Sequence, residues 1–113
     1  MPWLVRDGEV LASAEEATTR AARRRGLVGR DALEGVLVLR PCRQVHTLGM
    51  RFTIDVIWCG AHGRVMRVAV LKPRRISRPV WRARMVIEAE HGAAARWALR
   101  IGDALEVTTE AGA

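Results

Sequence analysis

The segment from Val45 to Trp58 places ionisable side chains inside a sequence that otherwise predicts a strand. Burying such groups unpaired costs free energy, so each of them needs a partner or a chemical role. His46 and Asp55 offer the clearest chemistry, because a carboxylate bonded to one imidazole nitrogen leaves the other nitrogen as a base or a metal ligand. The structural alternative is that Asp55 pairs with Arg51 or Arg30 while His46 bonds the backbone and holds a buried loop. Ionisable networks of that kind are often structural.

Cys42 lies shortly before His46 and adds a candidate nucleophile. A Cys42–His46 pair would need hydrogen-bond contact and an oxyanion hole nearby, whereas the simpler interpretation is a small, half-buried cysteine at a strand end. A catalytic metal site needs three protein ligands and a structural zinc site needs four. The other histidines, His62 and His91, are predicted at a hairpin turn and a helix start, so we expect neither a metal site nor a cofactor. The candidate catalytic residues of a hydrolase or metal-assisted enzyme are therefore His46, Asp55 and Cys42.

The second chemical signal is a long basic stretch. The formal net charge is +7, and no acid lies between Asp55 and Glu88. Eight basic residues fall in that interval, namely Arg64, Arg67, Lys72, Arg74, Arg75, Arg78, Arg82 and Arg84. A field of one sign attracts phosphate, acidic polysaccharide or anionic lipid, although a solvated loop without a partner explains the same pattern. Trp81 beside Arg82 is typical of platforms for single-stranded nucleic acid or sugars, so weak nucleic-acid binding through this basic loop is one hypothesis.

These residues need elements to position them, and the first third of the chain predicts a hairpin followed by a helix. Trp3–Val5 and Glu9–Leu11 flank an Asp-Gly dipeptide, which is typical of two-residue hairpin turns. Ser13 and Glu16 have the spacing of a capping box. A stripe of small residues follows, so the sequence predicts a helix from Ser13 to Gly26.

The rest of the chain predicts short strands. Arg51–Cys59 alternates, with Phe52, Ile54, Val56 and Trp58 on one face and Thr53, Asp55, Ile57 and Cys59 on the other. The other predicted strands are Gly35–Leu39, covered on both faces, then Arg64–Leu71, Trp81–Glu90 and Ala104–Thr108, with a short helix at Gly92–Leu99. Six or seven strands and two short helices predict a mainly antiparallel β-sandwich or half-open barrel.

Length and composition limit the class of protein. A chain of 113 residues fits one domain over residues 1–113, and its apolar runs are too short to cross a bilayer. The first residues contain acids and no apolar export signal, so we expect a cytoplasmic protein. Cys42 and Cys59 are the two cysteines, and we expect both to be reduced.

Several sequence landmarks occur together in this order along the chain. They are the Gly26–Arg30 turn, the Gly35–Leu39 strand, the motif from Val45 to Val56, the Gly63–Val65 return, Pro73, the Val86–Glu88 strand with Gly92, and the Gly102–Asp103 turn. With them the chain resembles, from about Ala12 to Val107, the family known as domain of unknown function 192. Thr47 to Gly49 before Met50, and Phe52 after Arg51, resemble its histidine-threonine subgroup. The resemblance implies a β-sandwich of jelly-roll type and names no activity.

We therefore predict a small binding or accessory module. The candidate ligand site is a groove between the His46–Arg51 loop and the basic Lys72–Arg84 loop, for a carbohydrate or an anionic ligand. The candidate ligand-binding residues are His46, Thr47, Met50, Arg51, Asp55, Trp81 and Arg82. The alternatives are the enzyme and the nucleic-acid binder described above.

Overall fold

The computed structural model describes residues 2–109, and within them seven strands form one sheet in the order β5-β4-β6-β3-β2-β1-β7. Five of the six neighbouring pairs are antiparallel and the β2–β3 pair is parallel, which confirms a mainly β, mainly antiparallel architecture. The elements are β1 (Trp3–Arg6), β2 (Glu9–Ala17), α1 (Arg20–Arg25), β3 (Val36–Leu39), β4 (Ile54–Cys59), β5 (Val65–Leu71), β6 (Met85–Glu90), α2 (Ala93–Arg96) and β7 (Glu106–Thr108).

The two edges of this sheet meet near Gly63. Arg64 forms an antiparallel bridge with Ala104, and the Leu105 amide donates to the Gly63 carbonyl over 2.9 Å. Gly63 has a φ of 69°, and a Cβ there would lie 1.9 Å from the Leu105 carbonyl oxygen, so a side chain would block the contact. The sheet therefore curls into the half-barrel that was predicted. Its finer description as a jelly roll stays a prediction, because the strands form a single mixed sheet.

Both faces of the sheet are covered by apolar clusters. The inner cluster, which includes Leu4, Val38, Ile57 and Ile87, draws on strands all around the barrel. The outer cluster includes Leu39, Ile54, Val56, Trp58 and Val86, and it lies beneath α1 and the long loops. The predicted alternation in β4 and the two-sided burial of β3 are therefore confirmed, and β6 alternates in the same way.

The helix predicted from Ser13 to Gly26 is wrong over its first half. Glu9–Ala17 is a strand, and the helix spans Arg20–Arg25 with Thr19 as its N-cap, while Gly26 ends it as predicted. The stretch from Ala14 to Ala17 pairs in parallel with β3, and Gly35 allows this approach because a Cβ there would lie 2.3 Å from the Ser13 carbonyl oxygen. Ladder pairing with a distant segment outweighs a weak local helix preference.

The boundaries of the other elements differ from the predicted ones by a few residues. Strands β4, β5, β6 and β7 begin one to four residues later than predicted, and α2 is shorter. Cys42 and Cys59 are both free. Within residues 2–109, no helix is long and apolar enough to cross a membrane.

Candidate functional site

A buried carboxyl group on the outer face of the sheet is the unusual chemical feature of this fold. The alternation of β6 places Glu88 on the same face as Val86, where it is only 1% exposed. Its Oε1 atom accepts no hydrogen bond from any described residue. Burial raises the pKa of Glu88 to about 7, although the positive charge of Arg30 acts in the opposite direction. The group can therefore donate or accept a hydrogen bond near neutral pH.

Glu88 lies in the wall of a cavity of about 350 Å³ between α1 and the segment after β3. We call this space the Glu88 cavity; its polar lining comprises Arg20, Arg23, Arg24, Cys42, Gln44, His46 and Glu88. Gly26, at the end of α1, passes so close to the carboxyl that a Cβ there would lie 3.4 Å from Oε1. The turn after α1 thus brings backbone against Glu88 and leaves the arginines of α1 around the cavity.

The arginines around the cavity differ in the hydrogen bonds and ion pairs that they form within the protein. Arg23 donates to the Thr18 carbonyl oxygen over 2.6 Å. Arg20 and Arg24 form no ion pair with any residue in the range 2–109. Arg30, farther along, is held by Glu15 through two bonds of 3.1 and 2.6 Å. The cavity therefore combines a buried carboxyl, whose Oε1 atom lacks a hydrogen-bond partner, with two positive charges that pair with no described acid.

His46 is held by both of its ring nitrogens. Its Nδ1 accepts the Leu48 amide hydrogen over 3.2 Å, which leaves the ring proton of the neutral side chain on Nε2. Nε2 lies 3.1 Å from the Arg24 carbonyl oxygen and donates to it. His46 therefore ties its loop to the end of α1 and shapes the cavity, as in the structural alternative.

Asp55 performs a different task on the inner face of the sheet. Its Oδ2 accepts the amide hydrogens of Gly92 and Ala94 over 3.1 and 3.0 Å, and its Oδ1 lies 3.2 Å from Nδ1 of His91. The structure therefore does not join Asp55 to His46, because its carboxylate caps the start of α2 from a neighbouring strand. The arginine pairing considered for Asp55 is also absent among residues 2–109, where Arg51 pairs with Asp31.

Thr47 fastens together the two loops that were expected to border a groove. It is fully buried, and its hydroxyl donates to the Lys72 carbonyl over 2.6 Å and accepts the Arg75 amide hydrogen over 2.8 Å. The Ser77 amide donates to the Val45 carbonyl over 2.9 Å. These hydrogen bonds bring the two segments into direct contact, and a ligand groove between them stays a prediction. The open space lies beside them, at the Glu88 cavity.

The thiol of Cys42 faces the cavity but is not activated. Its Sγ donates to the Gln44 carbonyl over 3.3 Å. Burial raises the pKa of this thiol, and the charge of Glu88 raises it further. No group of three metal-binding side chains occurs in the part of the chain that the structure describes. Cys42 is therefore a weak nucleophile in this setting.

The remaining candidates lie apart from the cavity. Met50 is buried in the outer cluster, while Arg51 is exposed. Trp81 and Arg82 are exposed in the loop before β6. Trp58, on the same strand face as Ile54 and Val56, is fully buried, and its Nε1 donates to the Arg43 carbonyl over 3.0 Å.

Glu88 belongs to the Val86–Glu88 strand, which is one of the family landmarks in the sequence, but it was not predicted as a site residue. A usable signal was present, because the alternation that buries Val86 and the apolar side chains of β4 also places Glu88 under the same cover. Acidic residues are rarely fully buried without a partner, so a glutamate at a core position is a candidate functional group.

Two solved structures share this fold. A protein of unknown function from Novosphingobium aromaticivorans DSM 12444 superposes with a TM-score of 0.76 at 23% identity, over 93% of this chain and 82% of that chain. A protein from Sinorhizobium meliloti 1021, described as a candidate transcription regulator, gives a TM-score of 0.69 at 17% identity, over 94% and 91%. At these identities the likeness shows the fold alone.

Sequence comparison indicates the family. A UPF0127 protein of Pyrococcus furiosus is 37% identical over 62 residues, which cover 55% of this chain and 53% of that protein. The chain therefore matches about half the length of this curated relative. The pattern of the DUF192 family, described as uncharacterized ACR, matches residues 3–107. Since that match takes in all seven strands except the last residue of β7, the chain belongs to the DUF192 family.

Proposed function

We propose that this domain binds a small acidic carbohydrate, such as a phosphorylated or carboxylated sugar, in the Glu88 cavity. The observation that carries the proposal is the Glu88 carboxyl group, which is buried and has an oxygen without a hydrogen-bond partner among residues 2–109. An unsatisfied buried polar atom costs about 1–3 kcal/mol, and a ligand that donates a hydrogen bond recovers that free energy. A sugar hydroxyl is such a donor.

The arginines of α1 supply the preference for an acidic ligand. Arg20 and Arg24 line the same cavity as Glu88 and have no acidic partner in the described range. Guanidinium groups bind phosphate and carboxylate through charge-assisted hydrogen bonds. A ligand with an anionic group at the arginines and a hydroxyl at Glu88 satisfies both parts of the cavity.

The geometry favours binding over the hydrolytic alternative. Both nitrogens of His46 are engaged with the backbone, and the pKa of the Cys42 thiol is raised. Asp55 is occupied at α2. Among the described residues, these contacts leave no activated nucleophile beside Glu88.

The test is titration calorimetry of the protein with glucose 6-phosphate, galacturonate, glucose and inorganic phosphate. We expect the two acidic sugars to bind more tightly than glucose or phosphate. Glucose has no anionic group for the arginines, and inorganic phosphate has no sugar hydroxyl for Glu88. The double variant Arg20→Ser/Arg24→Ser should remove the preference for the acidic sugars, and Arg78→Ser/Arg100→Ser, at two exposed positions outside the cavity, is the control for net charge. Equal binding of glucose and glucose 6-phosphate, or unchanged binding in the double variant, would contradict the proposal.

A further inference from the structure

Trp81 and the Glu88 cavity border the same segment, because Pro41, Cys42 and Gln44 line both that cavity and a second one that Trp81 lines. Its side chain is 75% exposed, although tryptophan is usually among the most buried residue types on average. The backbone around it is fixed, because the Trp81 carbonyl accepts from Nε of Arg43 over 2.9 Å and the Arg84 amide donates to the Cys59 carbonyl over 2.8 Å. The exposed indole is therefore held on an anchored loop.

Arginines surround this indole. Trp81 lines two surface cavities, of about 670 and 500 Å³, and both also include Arg43 and Arg84, while Arg64 and Arg82 line the second. We call the indole with these four arginines the Trp81 surface. None of the four forms an ion pair with a residue that the structure describes. The surface thus presents an aromatic plane beside several uncompensated positive charges.

We propose that the Trp81 surface binds single-stranded nucleic acid, with a base stacked on Trp81 and neighbouring phosphates on the arginines. Stacking on an aromatic ring combined with a basic groove is how many proteins bind a single strand without sequence preference. Stacking requires an unpaired base, so the 75% exposed indole favours a single strand over a duplex. A membrane is the less favoured partner, because an indole ringed by four arginines lacks the apolar face that inserts into lipid.

The test measures fluorescence anisotropy with a labelled oligothymidylate of about 12 nucleotides at low salt, a length within the usual site sizes. We expect Trp81→Ala to weaken binding about 5- to 150-fold, which corresponds to the usual worth of one stacked base. Trp81→Phe should retain most of the affinity because it keeps an aromatic plane. Ile101→Ala, which removes another exposed apolar side chain, should leave binding unchanged.

A salt titration tests the part assigned to the arginines. Each phosphate contact with a single strand contributes about −0.7 to the slope of log affinity against log salt, so Arg82→Ser/Arg84→Ser should flatten the slope by about 1.4. A larger effect of Arg74→Ser/Arg75→Ser/Arg78→Ser would overturn the placement and assign binding to the adjacent loop. No oligonucleotide binding at low salt, an unchanged affinity of Trp81→Ala, or binding to phosphatidylglycerol vesicles with none to the oligonucleotide would overturn the proposal.

Discussion

Replacing Glu88 by glutamine separates the charge of the buried carboxyl from its shape, and so tests the central feature of the candidate site. The pKa of Glu88 is raised to about 7 from an ordinary value of 4.5, with burial as the main cause. Each pKa unit corresponds to about 1.36 kcal/mol, so ionising this group costs the folded state about 3 kcal/mol relative to the unfolded chain. Solvent reduces this cost very little, because the side chain is only 1% exposed.

The direction of the pH dependence follows from proton binding. The folded protein holds the Glu88 proton more tightly than the unfolded chain, so the wild type has its full stability from this group below pH 4.5. That contribution is lost as the pH rises towards 7, and the loss is complete above it. Glutamine cannot ionise, so Glu88→Gln should be about 3 kcal/mol more stable relative to wild type at pH 8.5 than it is at pH 4.5.

The assay is urea unfolding followed by tryptophan fluorescence at several pH values between 4.5 and 8.5. A difference of about 3 kcal/mol corresponds to a change of roughly 10 °C in melting temperature for a domain of this size, so thermal unfolding gives an independent measurement. Glu34→Gln, at an exposed position, makes the same change in net charge and should follow the wild-type profile. Parallel profiles for wild type and Glu88→Gln would refute the reasoning, because they would show that the carboxyl pays no desolvation penalty in solution.

Three further substitutions test how the site is positioned. Asp55→Ala should destabilise the fold by about 2–4 kcal/mol in urea unfolding, since two amides at the start of α2 lose a charged acceptor; a loss below 0.5 kcal/mol would contradict this role. Thr47→Val keeps the shape but leaves the partly buried Arg75 amide without its side-chain acceptor, so we expect a loss of about 1 kcal/mol and faster trypsin cleavage after Arg75. Gly63→Ala should prevent closure of the half-barrel and lower the melting temperature far more than Gly8→Ala, whose Cβ would meet nothing within 4 Å. Equal melting temperatures of the two glycine variants would contradict the closure.

Local chemistry explains what was predictable in the fold. The alternation along β4 and β6 assigns each side chain to a face because successive residues of a strand point in opposite directions, and this needs no knowledge of the partner strand. The helix at Ser13 failed for the opposite reason. Ala14 to Ala17 suit a helix locally, and the strand there forms because β3, more than twenty residues away in sequence, supplies a hydrogen-bonding partner.

The candidate site also combines features that were predictable from residue types with roles that depend on distant parts of the chain. Residue types alone located the uncompensated basic stretch, the pairing of Trp81 with Arg82, and His46 as a residue with a backbone-holding alternative. The partners of Asp55 and Thr47 are 25 to 39 residues away, so their roles arise from chain segments that no local pattern relates.

Glu88 shows most clearly which properties of the site cannot be predicted from the sequence. Its place on the core face follows from the period of β6, but its chemistry depends on how much water reaches the carboxyl and which donors lie within hydrogen-bonding distance. Packing of the α1 turn at Gly26 and of the Pro41–Gln44 segment sets both quantities. The pKa of a carboxyl group depends on its surroundings in three dimensions, and for this reason an ordinary glutamate in the sequence becomes a proton-exchanging group in the folded protein.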